Sequence, residues 1–146
     1  NWRTDCFMVA EHLTWLQQTY WQSRYSISFP RLRPCTGGIE PASIMDEAQL
    51  VQTICAFRLF APEIELSLST RESPAFRDNV VPLAINNVSA FSKTQPGGYA
   101  DNHPELEQFT PHDARTPAQA ANVLLSSGLQ PVWKDWDGYL GRGTHR

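Results

Sequence analysis

Glu65-Leu66-Ser67-Leu68-Ser69-Thr70-Arg71-Glu72-Ser73-Pro74 is the stretch on which the fold turns. Glu65 to Thr70 reads as a strand whose end is polar, Ser69-Thr70-Arg71-Glu72. Ser73-Pro74 opens a helix through Leu83, because the fixed φ and missing N–H of proline suit a first helical turn. Ile85 to Phe91 follows as a further strand. Strand, helix and strand in that order call for a parallel pairing, since a helix between two strands carries the chain back across the sheet.

The same alternation extends in both directions. Met45 to Phe60 reads as a helix with Leu50, Ile54 and Phe57 as its stripe and Val51 and Leu59 beside it. Asp46 with Gln49 forms a capping box, and Ala61-Pro62 stops the helix. Tyr25 to Leu32 reads as a buried strand with small polar residues on one face. Pro34-Cys35-Thr36-Gly37-Gly38 and Pro41 make the loop after it. Phe7 to Tyr20 has helical spacing, with Val9, Leu13, Leu16 and Tyr20 on one face, Trp15 and Trp21 as bulk beside it, and Thr4 or Asp5 as cap.

Downstream, Lys93 to Tyr99 is a loop with a turn at Gly97-Gly98, and Asp101 to Arg115 is irregular. Thr116-Pro117 caps and opens a last helix to Ser126, ended by Gly128. Trp133 and Trp136 read as packing residues of a tail that frays at 143–146.

The fold class is therefore α/β, with parallel strands alternating with helices. Polar residues cluster after each strand: Arg31 and Arg33, then Ser69, Arg71 and Glu72, then Ser92, Lys93 and Gln95. In parallel α/β proteins the carboxyl ends of the strands form the functional face. Three strand–helix units are only part of a (β/α) barrel of roughly 250 residues. Alone they leave sheet edges uncovered, which points to a piece of a larger barrel. The start at Asn1, without Met or signal-peptide pattern, agrees with a fragment, a processed chain or a trimmed one.

Composition narrows the function classes. The chain has 146 residues with 41% hydrophobic and 18% charged, values of a globular domain rather than a disordered one. Its net charge of -3 argues against nucleic acid as a partner. No apolar run is long enough to span a membrane. Cys6, Cys35 and Cys55 match neither a disulfide framework nor the spacing of a zinc or iron–sulfur site, and read as small hydrophobes of a reduced, cytoplasmic chain. Asp101, His103, His112 and Asp113 share one polar loop but match no compact ligand pattern, so no metal site is assigned. Gly97-Gly98 lacks the rest of a phosphate-binding loop, and Ser69 lacks the context of a hydrolase nucleophile.

Three collinear segments carry a resemblance. Ser28-Phe29-Pro30-Arg31-Leu32-Arg33-Pro34, Leu68-Ser69-Thr70-Arg71-Glu72 and Thr94-Gln95-Pro96-Gly97-Gly98-Tyr99 resemble the 2-iminoacetate synthase family, the radical S-adenosylmethionine tyrosine lyases of bacterial thiamine biosynthesis. Asn86-Asn87-Val88-Ser89-Ala90-Phe91-Ser92-Lys93 and Trp133-Lys134-Asp135-Trp136 extend the likeness from Asn1 to about Arg142. It implies that residues 1–142 are the C-terminal part of a radical SAM barrel of TIM type, the region shared with biotin synthase. It also implies a parent enzyme that cleaves the Cα–Cβ bond of L-tyrosine to 2-iminoacetate and p-cresol, using a [4Fe–4S] cluster and S-adenosylmethionine, with thiazole synthase as partner. The family's CxxxCxxC cluster motif is not in this chain, so the isolated chain is expected to be inactive and no catalytic residue is assigned in it.

The resemblance and the strand-end position together nominate substrate-binding residues. Arg71 has the planar fork that grips a carboxylate through two parallel hydrogen bonds. Ser69, two residues earlier, shares its side of the strand and adds a hydroxyl contact. In related aromatic-amino-acid lyases the equivalent Ser-x-Arg element lies at the substrate. Glu72 faces the other way if the strand continues, and either pairs with Arg71 or reaches a substrate amine. Arg31 and Arg33 share a side and need acidic partners, one serving structure and the other the substrate or S-adenosylmethionine. Two other classes stay open: a truncated, non-catalytic homologue that binds thiazole synthase or a small acid, and a hydrolase, which lacks a legible nucleophile–base pair.

Overall fold

A computed structural model describes residues 1–32, 42–95, 98–99 and 111–133. Its elements are α1 (Trp2–Thr19), β1 (Ser26–Ser28), α2 (Glu47–Phe60), β2 (Glu65–Leu68), α3 (Pro74–Ala84), β3 (Asn87–Val88) and α4 (Pro117–Ser126). The three strands form one parallel sheet in the order β1-β2-β3. Ile27 stands beside Leu66 and Leu68 beside Val88. The expected alternation of strands and helices is thus the observed one.

Local chemistry fixes where the helices begin. Asp46 accepts from the Gln49 N–H at 2.8 Å while the Gln49 side chain accepts from the Asp46 N–H at 3.1 Å, both halves of a capping box. Ser73 caps α3 through the Phe76 N–H, with Pro74 in the first turn. Thr116 caps α4 and makes a second box with Gln119. Gly128 carries the left-handed φ of 77° that follows α4 and that glycine adopts without strain.

The helices cover one face of the sheet. Leu50, Ile54 and Phe57 of α2 and Phe76, Val80 and Val81 of α3 are buried with Leu66 and Leu68 of β2. The α1 helix adds Leu13, with Cys6 and Ala10 partly buried against the same core. Val81, Val88, Val123 and Leu124 line a shallow cleft where α4 meets α3 and β3.

Four local expectations change. The cap of α1 is Asn1, whose side chain accepts from the Arg3 N–H, so Thr4 and Asp5 lie inside the first turn. Its buried stripe runs through Cys6, Ala10 and Leu13 rather than Val9, which is exposed together with Trp15 and Trp21. β1 is an edge strand with Ser26 and Ser28 exposed, not a buried one, because among the described residues no layer covers the sheet face opposite the helices. β3 is two residues long because the Asn86 side chain takes over a rung, its Oδ1 accepting from Leu66 N at 2.7 Å, and because Phe91 turns to φ 55°.

Candidate substrate-binding face

Burial alternates along β2 and continues past its end. Leu66, Leu68, Thr70 and Glu72 are buried, whereas Glu65, Ser67, Ser69 and Arg71 are half-exposed. A strand sends successive side chains to opposite faces. Ser69 and Arg71 therefore share the face that the described helices leave open, as their spacing predicts. That face is polar: the Glu65 carboxylate accepts from Ser26 Oγ at 3.0 Å and from Asn87 Nδ2 at 2.7 Å, a row across all three strands. The interior of a complete barrel is normally filled by branched apolar side chains. A layer of Ser26, Ser28, Glu65, Ser67 and Asn87 instead suits a chamber that holds a polar ligand or water.

The strand end itself is locally braced. The Arg71 N–H donates to Ser69 Oγ at 3.3 Å, which keeps the two candidate groups side by side. Glu72 is 1% exposed on the helix side of the strand. Both of its carboxylate oxygens accept from Arg31. Arg31 Nε donates to Oε1 at 3.0 Å and Nη2 donates to Oε2. Arg31 also donates to the Met45 carbonyl at 3.1 Å and lies over the Phe76 ring. The hydrogen bond and charge of Glu72 outweigh burial and raise the Arg31 guanidinium pKa above its ordinary value. Arg31 thus joins the end of β1 to the end of β2. Arg33 lies outside the described residues, as do Cys35, Gly97, Asp101, His103, Trp136 and the tail 143–146.

A second charged group stands close by that sequence reasoning missed. Asp113, a loop polar residue by its sequence, is completely buried. It is held by Arg77 and by Arg115, which reaches on to Asp78. Burial alone would raise its carboxyl pKa, but the hydrogen bonds from Arg115 and the charge of Arg77 hold it below the ordinary value. Burial lowers the Arg77 pKa, an effect that Asp113 opposes. The only hint in the sequence was an Asp-x-Arg immediately before the cap of α4.

Two further residues carry the third strand end. Phe91 holds a left-handed φ of 55°, a conformation that costs a bulky residue on the order of 1–3 kcal/mol and that tends to cluster at functional sites. Gly98 closes a turn onto the Gln95 carbonyl at 3.1 Å, and a Cβ there would stand 2.7 Å from the Gln95 side chain. Trp133, expected to pack against a wall, is 71% exposed, since none of the described residues presents an apolar surface over it.

No group of three or more His, Cys, Asp or Glu able to hold a metal ion occurs among the described residues. Cys6 sits against Thr53 in the helix layer, where burial pushes its thiol pKa up and the Thr53 contact only partly offsets this. Among the described residues the cysteines are Cys6 and Cys55, too few for an iron–sulfur cluster, which is held by several converging thiolates. Also among the described residues, no helix is long and apolar enough to cross a membrane.

Comparison with known proteins agrees with this architecture. The Biotin and Thiamin Synthesis associated domain matches residues 28–130. The chain is 82% identical over 146 residues to the 2-iminoacetate synthase of Escherichia coli (strain K12), which covers all of this chain and 39% of that protein. It is 80% identical over 144 residues to the 2-iminoacetate synthase of Salmonella typhimurium, covering 99% of this chain and 38% of the relative. The chain therefore spans under two-fifths of the length of the curated relatives it matches. Among solved structures, HydG, a maturase of the [FeFe]-hydrogenase, superposes with a TM-score of 0.78 at 31% identity, over 90% of this chain and 29% of HydG. HydG from Carboxydothermus hydrogenoformans gives a TM-score of 0.75 at 28% identity, over 87% of this chain and 29% of that one. The three parallel strands and their helices are thus a piece of a larger radical SAM fold. Because the domain match covers most of its length, the chain belongs to the Biotin and Thiamin Synthesis associated domain family.

Proposed function

We propose that this chain is the C-terminal part of a 2-iminoacetate synthase and that its share of the reaction is to bind and orient L-tyrosine. The observation that carries the reading is the pairing of Ser69 and Arg71 on the open, polar face of the sheet at the carboxyl end of β2, in a chain 82% identical to a named 2-iminoacetate synthase. Arg71 grips the tyrosine carboxylate through two parallel hydrogen bonds, and Ser69 adds a third contact. Glu72 and Arg31 stand behind this clamp and set the strand ends. Arg33 is a further candidate for the substrate or S-adenosylmethionine.

The [4Fe–4S] cluster and S-adenosylmethionine belong to the complete enzyme. The spacing of Cys6, Cys35 and Cys55 in the sequence does not match a CxxxCxxC motif, so the cluster ligands are assigned to the part of the enzyme outside this chain. A complete cytoplasmic lyase that passes 2-iminoacetate to thiazole synthase follows from the same reading. The isolated chain is expected to cleave no tyrosine.

Arg71→Ala in the complete lyase tests the clamp. Loss of charge-assisted bonds of about 1.5–3 kcal/mol each is expected to weaken tyrosine binding on the order of 100-fold or more, read by calorimetry. Arg71→Lys should recover only part, because an ammonium cannot make the parallel pair. Unchanged tyrosine affinity in Arg71→Ala would overturn the reading.

A further inference from the structure

We propose that Asp113 is a positioning residue for the substrate clamp: gathered by two arginines, it fixes the main chain at residues 112–113, which holds the Thr70 carbonyl and so sets where Ser69 and Arg71 stand. The proposal rests on the reading of Ser69 and Arg71 given above.

The chain of contacts is continuous. The N–H groups of His112 and Asp113 both donate to the Thr70 carbonyl, at 2.9 and 3.1 Å. Thr70 lies between Ser69 and Arg71, so those two bonds anchor the middle of the clamp. Asp113 Oδ1 accepts from the Arg115 N–H at 3.1 Å and from Arg115 Nε at 2.9 Å. Oδ2 accepts from Arg115 Nη2 at 2.7 Å and from Arg77 Nη1. Arg115 is tied in turn to Asp78 of α3 at 2.8 and 3.0 Å. Arg77 Nη2 donates to the Ser89 carbonyl, and the Ser89 N–H donates to the Leu68 carbonyl at 3.1 Å. One buried carboxylate therefore joins α3, the end of β3, the segment before α4 and, through Thr70, the end of β2.

Stability alone does not call for such a device. Burying charges costs desolvation energy, and apolar side chains of similar volume often hold a fold equally well. What a directional network supplies is placement, and a misplacement of about 1 Å at a binding group is enough to cost two orders of magnitude in rate. Its position at the strand ends, one residue from each clamp group, is where placement matters.

A double-mutant cycle on tyrosine affinity in the complete lyase tests this. Asp113→Asn keeps the shape but weakens the hold on both arginines. At a temperature well below melting, it is expected to weaken tyrosine binding about tenfold. In an Arg71→Ala background the same change should cost little more, because the clamp it positions is already gone. A purely structural role would lower the melting temperature and leave the affinity alone; wild-type affinity in a folded Asp113→Asn, or full additivity with Arg71→Ala, would overturn the proposal. If Arg71→Ala alone leaves affinity intact, it is the clamp reading that fails. Should Asp113→Asn not fold, Arg115→Gln decides by the same two criteria, since it keeps the Arg77–Asp113 pair.

Discussion

At the amino ends of β2 and β3, Arg58 donates to the carbonyls of Pro62 at 2.7 Å, Ile64 at 2.9 Å and Ala84 at 2.9 and 3.1 Å. At their carboxyl ends, Arg31, Arg77 and Arg115 are spent on the carboxylates of Glu72, Asp113 and Asp78. The same side chain does different work in the two places. Arg58 sits in the last turn of α2 and satisfies carbonyls left over where α2 and α3 end, a task for which only donors are needed. The other end carries buried ion pairs, which bring little net stability over an apolar core and much geometric definition. One end closes the fold, and the other carries the residues proposed for the site.

The largest expected effect breaks this comparison from the charged end. Asp113→Ala in the complete protein leaves Arg77, only 3% exposed, without its carboxylate. A cost of about 3–5 kcal/mol in denaturation is expected. Acid should act in the same direction. The Asp113 carboxyl is held below its ordinary value, so its contribution is present above about pH 4 and lost as pH falls through the depressed pKa. Denaturation midpoints measured from neutral pH downward should fall more steeply in the wild type than in Asp113→Asn. Parallel acid limbs would mean that the network contributes nothing through its charge.

Arg58→Met sharpens the comparison from the neutral end. The apolar stem remains, and the bonds to the carbonyls are lost. A destabilisation of about 1–3 kcal/mol is expected. The loss should not vary with pH in the acid range, because neutral carbonyls do not titrate there. Tyrosine affinity should stay at the wild-type value. A weakened affinity would show that both ends of the sheet shape the site and would remove the division of labour.

The division also explains what the sequence made legible. The ends of α2, α3 and α4 are written in short-range chemistry: Asp46 with Gln49, Ser73 with Pro74, Thr116 with Pro117. Period-2 spacing likewise put Ser69 and Arg71 on one side and Glu72 on the other. The partners of the charges are not local. Arg31 meets Glu72 across 41 positions and Arg115 meets Asp78 across 37, and no pattern of spacing announces such pairs. Asp113 looked like a loop residue because the stretch around it has no periodicity. Its burial comes with partners distant in sequence, Arg77 of α3 and the Thr70 carbonyl past the end of β2. The exposure of Ser26 and Ser28 is not legible for a related reason: alternation shows that a strand has two faces but not whether a second layer covers the polar one.

Thr70 offers the smallest and most delicate test. Its side chain is fully buried, and its Oγ1 has no hydrogen-bond partner among the described residues. Its carbonyl, by contrast, accepts two N–H groups from residues 112 and 113. If main-chain bonds hold this segment, the hydroxyl contributes nothing and its burial is a cost. Thr70→Val keeps the shape and removes the unpaired polar atom. It should leave stability unchanged or raise it by up to about 1 kcal/mol, since a buried unsatisfied group carries a penalty of about 1–3 kcal/mol. A loss of more than about 1 kcal/mol would mean that the hydroxyl is partnered in the complete protein. The hold on the clamp would then run through the Thr70 side chain as well as its carbonyl, and the contrast between a neutral end and a charged end would need a third, hydroxyl-mediated contact.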